Sequence, residues 1–262
     1  MAGPTLINSL ARGVQILRLL AAQTGSLGVT EIAERLSVDP STAYRLLSTL
    51  EAHGFVVQDE ESKKYGLGYG ILEVTSGLLR RLSVVEVSQP HLYTVATKLG
   101  ESAHVAVRYR QFAVSVGSES AAGVLRVETV LGNPEPLYCT AIGKALLLDF
   151  TREQLVELFG EEKFERHTPH TLTTIDELES DLARARRLGY AFDDEELHPG
   201  VRCIAAPVHD YTNRIVAAFG ISSPAIRLTR DRAQELAPEI CRHAQAISAR
   251  LGFAEGRTVT GP

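Results

Sequence analysis

The sequence has no tryptophan, one methionine and only three cysteines in 262 residues. Cys139, Cys203 and Cys241 are odd in number, far apart and without a C-x-x-C pair. That spacing argues against a disulfide framework and against a thiolate zinc site, so the three read as reduced thiols. No run of apolar residues is long enough to span a bilayer, and the opening MAGPTLINSLARG lacks a cationic segment ahead of an apolar core. Neither a membrane span nor a secretory signal is expected, and a cytoplasmic location follows. An excess of basic residues is missing too: Lys and Arg number 27 against 32 Asp and Glu, a net charge of −5. Composition alone therefore does not advertise nucleic acid. With 44% hydrophobic and 23% charged residues, the chain has globular composition and the length of one large domain or two unequal ones.

The first 70 residues carry a compact pattern. Leu10, Val14, Leu17 and Leu20 recur at helical spacing and end in the turn chemistry of Gly25 to Gly28. Thr30 is a candidate N-cap for a helix of two turns through Leu36, with small Ala33 at its centre. Asp39 and Pro40 then stand as N-cap and first residue of a third helix. It buries Ala43, Leu46, Leu47 and Leu50, and turns Ser41, Thr42, Tyr44, Arg45, Ser48 and Thr49 outward. Gly54 stops it, and residues 55–58 and 64–67 read as two short strands around the polar turn 59–63. Three helices and a hairpin form a winged helix-turn-helix, whose third helix enters a major groove while Lys63 and Lys64 at the wing meet phosphates.

At these residues the chain resembles the IclR family of bacterial transcriptional regulators. The likeness rests on S-L-A-R-G-V-Q-I-L-R-L-L (Ser9 to Leu20), V-T-E-I-A-E-R-L (Val29 to Leu36), S-T-A-Y-R-L-L-S-T-L-E-A-H-G-F-V (Ser41 to Val56) and K-Y-G-L-G (Lys64 to Gly68), four segments in register. Members often carry a basic residue before the Ser-Thr pair, where this chain has Pro40.

Between Gly70 and Ser88 an apolar face of Ile71, Val74, Leu78, Leu82 and Val85 predicts a linker helix that pairs with its copy in a second chain. After Gln89-Pro90 the texture changes. Helix over 91–99 is followed by alternating strands at 103–109, 112–118 and 124–130, helices at 142–150, 152–159 and 175–188, strands at 190–193, 201–210 and 214–222, and a helix from Asp231 to Leu251. Hairpin-linked strands flanked by helices make this an α+β domain. The expected organisation is a DNA-binding domain over 1–69, a linker and dimerisation helix over 70–87, an effector-binding domain over 88–252 and a tail over 253–262.

Enzyme signatures are weak. His167 and His170 flank Pro169, which spoils a helical metal pair, so they read as a surface loop. Gly66-x-Gly68-x-Gly70 lacks a βαβ setting, and Gly143-Lys144 lacks the glycine-rich loop of a P-loop. No cofactor or metal is expected. Two other segments stand out: P-L-Y-C-T-A-I-G-K-A-L-L (Pro136 to Leu147), a strand-to-helix turn with free N–H groups for an anion, and G-Y-A-F-D-D-E-E-L-H-P-G-V-R-C-I-A-A-P-V (Gly189 to Val208). Taken alone, Cys203 reads as a small core residue, Asp193 as a solvated loop acid and Lys144 as a surface or helix-end charge.

The resemblance reads them differently. It implies a GAF-like effector domain whose pocket uses backbone at Ala141 and Ile142, with Asp193, Cys203, Gly220 and Ser222. Gly220 stands where a hydroxyl residue is common in the family, so a ligand hydrogen bond is missing there. Leu125, Leu131 and Leu137 are candidate apolar walls. The implied function is a regulator, repressor or activator, that binds a pseudo-palindromic double-stranded operator as a dimer or tetramer and answers to a small organic acid, aliphatic or aromatic. A metabolic enzyme or ligand-binding module, using its N-terminal helices for protein contacts, is the competing reading.

Overall fold

The computed structural model describes residues 7–22, 25–79, 83–122, 126–160 and 163–253. The chain forms two compact units, Met1–Arg81 and Leu82–Pro262. Of the expected tail, only Phe253 lies among the described residues.

The first unit holds helices α1 (Asn8–Ala21), α2 (Val29–Leu36) and α3 (Pro40–Ala52), the antiparallel hairpin β1 (Val56–Gln58) and β2 (Tyr65–Leu67), and α4 (Gly70–Leu79). Its core joins Ile16 and Leu20 of α1, Ile32 and Ala33 of α2, Ala43 and Leu47 of α3, and Val56 and Tyr65 of the hairpin. The stripe that α1 buries is Gly13, Ile16 and Leu20, while the expected Leu10 and Val14 stand exposed. Gly13 on this stripe faces Leu50 of α3, with room for a Cβ at ordinary contact distance, 4.0 Å from Leu50 Cδ2. The N-cap of α2 is Gly28, not Thr30: the Gly28 N–H donates to the Glu31 carboxylate at 2.8 Å. Asp39 and Pro40 open α3 as expected.

The glycines after the wing are packing devices. A Cβ on Gly68 would lie 2.3 Å from the Gly54 carbonyl oxygen, and one on Gly70 would lie 2.7 Å from the same atom. Backbone meets backbone there, which only glycine permits.

Helix is described in α4, to Leu79, and in α5 (Ser83–Leu99), which runs through Pro90; residues 80–82 of the expected linker helix lie outside the described residues. Pro90 costs one backbone hydrogen bond. Burial of Val84, Val87, Leu92 and Val95 on both sides of it outweighs that loss, so no boundary falls at Gln89-Pro90. On α4, Ile71 is half-buried and Leu72 and Val74 are exposed. Of the expected apolar face, the side chains of Leu78 and Leu82 lie outside the described residues.

In the second unit, β3 (Ser102–Tyr109), β4 (Phe112–Glu119), β5 (Pro134–Pro136), β6 (Ala191–Asp194), β7 (Val201–His209) and β8 (Ile215–Pro224) form one antiparallel sheet in the order β5-β4-β3-β8-β7-β6. Alternation along each strand sorts side chains by size. Val105, Ile204, Phe219 and Ile221 face α5 and α9 (Arg230–Arg250). Ala106, Ala113, Ala205 and Ala218 face α6 (Ala141–Leu146) and α8 (Ile175–Leu188), with α7 (Arg152–Phe159) packed beyond. The alanine face lets the short α6 lie close to the sheet.

The strand expected at 124–130 does not form: residues 126–130 have no regular structure, and 123–125 lie outside the described residues. The edge is taken instead by β5, which holds Pro134 and Pro136. Proline is tolerated on an edge strand because its missing donor costs no ladder bond.

The wing geometry gives a direct test. Gly68→Ala is expected to destabilise the first unit by about 1–3 kcal/mol in urea melts, as overpacking against rigid backbone does. Gly66→Ala meets open space and leaves the midpoint unchanged.

Candidate functional site: a reading head and a buried acid pocket

Each unit presents one candidate site. In the first, Asp39 caps α3 three times over: its carboxylate accepts the Thr42 N–H at 2.8 Å, the Ser41 hydroxyl at 2.5 Å and the Thr42 hydroxyl at 2.6 Å. Those bonds, the Ser41 hydroxyl first, hold the Asp39 carboxyl well below the ordinary carboxylate range. The Thr49 hydroxyl donates to the Arg45 carbonyl at 2.9 Å. Three of the expected polar contacts thus already have partners on their own helix, while Tyr44 and Arg45 stand exposed and Ser48 half-buried. Lys63 and Lys64 are exposed at the wing, where Lys63 adopts a left-handed φ of 55° and its carbonyl accepts from Gln58 Nε2 at 3.0 Å.

In the second unit a pocket opens beside α6. Of the residues anticipated there, Ala141, Ile142, Asp193, Cys203 and Ser222 line it together. Thr140 caps α6, accepting the Gly143 N–H at 3.0 Å, so the N–H groups of Ala141 and Ile142 precede the first intrahelical bonds. Gly143 is required for this turn, because a Cβ there would lie 2.5 Å from both Leu137 Cα and the Leu137 carbonyl oxygen. Cys203 Sγ sits 3.2 Å from Ser222 Oγ, and burial followed by Asp193 pushes the Cys203 thiol up, so it stays protonated.

Other anticipated residues do not join them. Leu137 is fully buried in the core beneath α6, because its backbone meets Gly143 and its side chain belongs to the alanine-face layer. Leu131 is 57% exposed on a turn, and Leu125 lies outside the described residues. Gly220 is not missing a hydroxyl that would reach a ligand: a Cβ there would strike the Ile204 carbonyl oxygen at 2.4 Å and Ala205 Cβ at 2.7 Å. Neighbouring β7 occupies the space.

The pocket also holds residues the sequence did not single out: His104, Glu128, Glu135, Thr140 and His198. His104 on β3 is buried, which lowers its pKa to about 4 and keeps the ring neutral. Its Nδ1 has no hydrogen-bond partner among the described residues. A histidine on the inward-facing phase of an apolar strand was the available signal. Burial raises Glu135 as well. Asp193 is nearly inaccessible and is pushed up to about 8, by burial first and by Glu196 second, with Lys144 and the Glu196 N–H opposing the rise. The free volume enclosed is about 40 Å³.

Lys144 is not a surface charge. Its side chain has no exposed area, and Nζ lies 2.6 Å from Glu196 Oε1, 2.8 Å from Asp181 Oδ2 and 2.5 Å from the Phe192 carbonyl oxygen. Burial opposes its charge, but Glu196, Asp181 and Asp193 together raise its pKa, so it is an ammonium ion. Glu196 in turn donates its N–H to Asp193 Oδ1 at 2.7 Å. The R-H-T-P-H loop completes the support: hydroxyls of Thr168 and Thr171 donate to the carbonyls of Glu195 and Glu196, while His167 Nε2 lies 3.0 Å from the Tyr138 hydroxyl.

A winged helix-turn-helix followed in the chain by a sheet domain of this topology defines a DNA-binding transcriptional regulator as a class. The family models agree: the IclR helix-turn-helix domain matches residues 9–60, and the C-terminal domain of bacterial IclR transcriptional regulators matches residues 76–249. The chain belongs to the IclR family of transcriptional regulators. It is 36% identical over 245 residues to the HTH-type transcriptional repressor AllR of Salmonella typhimurium strain LT2, covering 94% of this chain and 90% of that one. The Thermotoga maritima IclR crystal structure shares the fold at TM-score 0.78 and 30% identity, over 94% of this chain and 99% of that one. An IclR homolog from Microbacterium hydrocarbonoxydans, solved with 4-hydroxybenzoate, has the same fold at TM-score 0.81 and 21% identity, over 93% and 98% of the two chains.

The buried cluster makes a stability test. Lys144→Met leaves Asp181 and Glu196 facing one another without a cation and is expected to cost about 3–5 kcal/mol, the loss typical of breaking a buried pair. Urea unfolding of the full chain measures it, and an unchanged midpoint and slope would show that the cluster does not hold the fold.

Proposed function

We propose that this chain represses transcription by binding a pseudo-palindromic operator as a dimer or tetramer, and that a short-chain organic acid in the Asp193 pocket relieves or strengthens that binding. Membership of the IclR family carries the DNA half of the reading. Within the head, Arg45 and Tyr44 are the exposed side chains of α3 with reach, and Lys63 and Lys64 supply backbone contacts from the wing. Ser41 and Thr42 contribute mainly by fixing the helix N-terminus through Asp39, and Ser48 and Thr49 are secondary. The Leu72 and Val74 surface of α4 is the candidate for pairing with a second chain, since two half-sites require two heads. A cytoplasmic setting fits a DNA-binding protein in which no helix among the described residues is long and apolar enough to cross a membrane.

The acid half rests on the protonation of the pocket. Among the described residues its lining includes Asp193, Glu128 and Glu135 but no lysine or arginine. A ligand carboxylate is compatible with it because Asp193 keeps its proton at neutral pH and becomes a hydrogen-bond donor, beside the N–H groups of Ala141 and Ile142 and the Ser222 hydroxyl. A volume of about 40 Å³ lies far below that of sites for drug-sized ligands. Short acids are therefore favoured over the 4-hydroxybenzoate found in the Microbacterium homolog.

Fluorescence anisotropy on the chain's own upstream intergenic DNA tests the head. Arg45→Ala is expected to weaken specific binding about tenfold to a hundredfold at fixed salt, the cost of losing one good base contact. Unchanged affinity would remove α3 as the reading helix.

The pocket makes a pH prediction. An acid whose folded pKa is raised holds its proton where the unfolded chain has lost it, so Asp193 is a donor below about 8 and a repelling anion above. Affinity for a carboxylate effector falls as pH rises through that value. Calorimetry with a panel of short carboxylates and 4-hydroxybenzoate should show this fall in the wild type and not in Asp193→Asn. A wild-type affinity flat across the same range would overturn the neutral-acid reading.

A further inference from the structure

A second cleft lies on the outer side of β6, between α8 and the first turn of α9, with a free volume of about 430 Å³. Its lining combines an apolar strip of Leu188, Tyr190, Phe192 and Ala233 with two guanidinium groups, Arg184 from α8 and Arg230 from α9, each beside a lining carboxylate, Asp181 or Asp194. Leu188 is 53% exposed although apolar. Ala233 is buried and Tyr190 and Phe192 pack partly against the core, so Leu188 is the exposed end of that strip.

Two alternating chains of ion pairs end on those arginines. One runs Glu196–Lys144–Asp181–Arg184, with Lys144 Nζ 2.6 Å from Glu196 and 2.8 Å from Asp181, and Arg184 paired to the other oxygen of Asp181. The other runs Glu195–Arg202–Asp194–Arg230, with contacts of 3.0, 2.6 and 2.6 Å. Both start at adjacent loop carboxylates and both finish at the cleft in a cation. Asp181 and Asp194 each keep an inner cation, Lys144 or Arg202, whatever the outer arginine does. An outer arginine can therefore turn to a ligand without leaving a buried carboxylate unpaired, which is the usual cost of such an exchange. The side chains of Arg184 and Arg230 are more than half exposed, so their present pairs are screened and weak. Each guanidinium also has N–H groups beyond those its carboxylate takes.

We propose that this cleft is a second ligand site, for an organic anion with a flat aromatic body: the rings lie along Leu188, Tyr190 and Phe192, and the carboxylate or sulfonate is taken by Arg184 and Arg230. Its volume falls within the range of small-molecule sites, and its mixture of apolar wall and few charged groups is what such sites use. The inference stands apart from the Asp193 pocket, since neither its residues nor its chemistry requires that pocket to hold an acid.

The probe is 8-anilinonaphthalene-1-sulfonate, titrated by fluorescence against the full-length native protein. Saturable binding is expected. Arg184→Ala combined with Arg230→Ala should weaken it about tenfold or more, the loss of one charge-assisted hydrogen bond. Leu188→Asp, which sets a negative charge against the sulfonate, should weaken it likewise, while Tyr93→Ser on the exposed face of α5 should leave it unchanged. Circular dichroism confirms that the variants, all at exposed positions, are folded. Absence of saturable binding to the wild type, wild-type affinity in both cleft variants, or loss of binding in Tyr93→Ser would each overturn the assignment.

Discussion

One ammonium group, Lys144 Nζ, ties together three stretches of chain that are far apart in sequence: its own helix α6, Asp181 in α8, and the end of β6 with the loop after it, through the Phe192 carbonyl and Glu196. A buried cation is tolerable only when its partners satisfy it fully, so this contact fixes where those elements can sit. Gly143 permits the tight turn into α6 against Leu137, and Lys144, the next residue, locks the helix in place. The pocket is the space left beside that lock. Its two defining walls, the start of α6 and the end of β6 at Asp193, are the elements Lys144 holds in register.

The same cluster sets the protonation of Asp193. With Glu196 directly beside it and Lys144 already engaged by two carboxylates, Asp193 lies in an environment short of positive charge. A lone buried aspartate next to a free lysine would ionise and form the pair. Here the lysine is shared, and Asp193 keeps its proton at neutral pH. Asp193 therefore faces, as a hydrogen-bond donor, a pocket that reads as acidic from its composition. The neutral His104 on β3 adds a nitrogen whose protein partners are missing among the described residues. A polar ligand can supply what that atom lacks.

Much of this was legible in the sequence where periodicity and capping chemistry speak. Asp39-Pro40, the α3 core residues Ala43 and Leu47, the wing and the amphipathic α8 all stand where local pattern places them. So does the assembly of Ala141, Ile142, Asp193, Cys203 and Ser222, which resemblance to the family had joined and residue chemistry alone had not. The failures share a cause, tertiary packing overriding local signals. Pro90 reads as a break but lies within α5 because apolar residues on both sides are buried. Residues 126–130 alternate like a strand, yet the proline-bearing β5 takes the sheet edge. Lys144 reads as a surface charge because neither Asp181 nor Glu196 is near it in sequence, and Leu131 and Leu137 look alike in composition but end exposed and buried.

The charge of the head bears on how it must work. Residues 1–68 carry six basic side chains, Arg12, Arg18, Arg35, Arg45, Lys63 and Lys64, against seven acidic ones. One of the acidic groups, Asp39, sits at the N-terminus of the helix that would meet DNA and stays ionised. The hydroxyls and N–H of Ser41 and Thr42 turn that charge inward, but they do not cancel it. A single head therefore releases few counterions on binding and gains little nonspecific affinity. In the proposed dimer or tetramer, the second head's contact benefits from the high effective concentration that the first provides. A ligand that changes how well two heads fit two half-sites acts on the factor that multiplies the affinity of each, so a modest preference for one arrangement is enough to move the operator equilibrium.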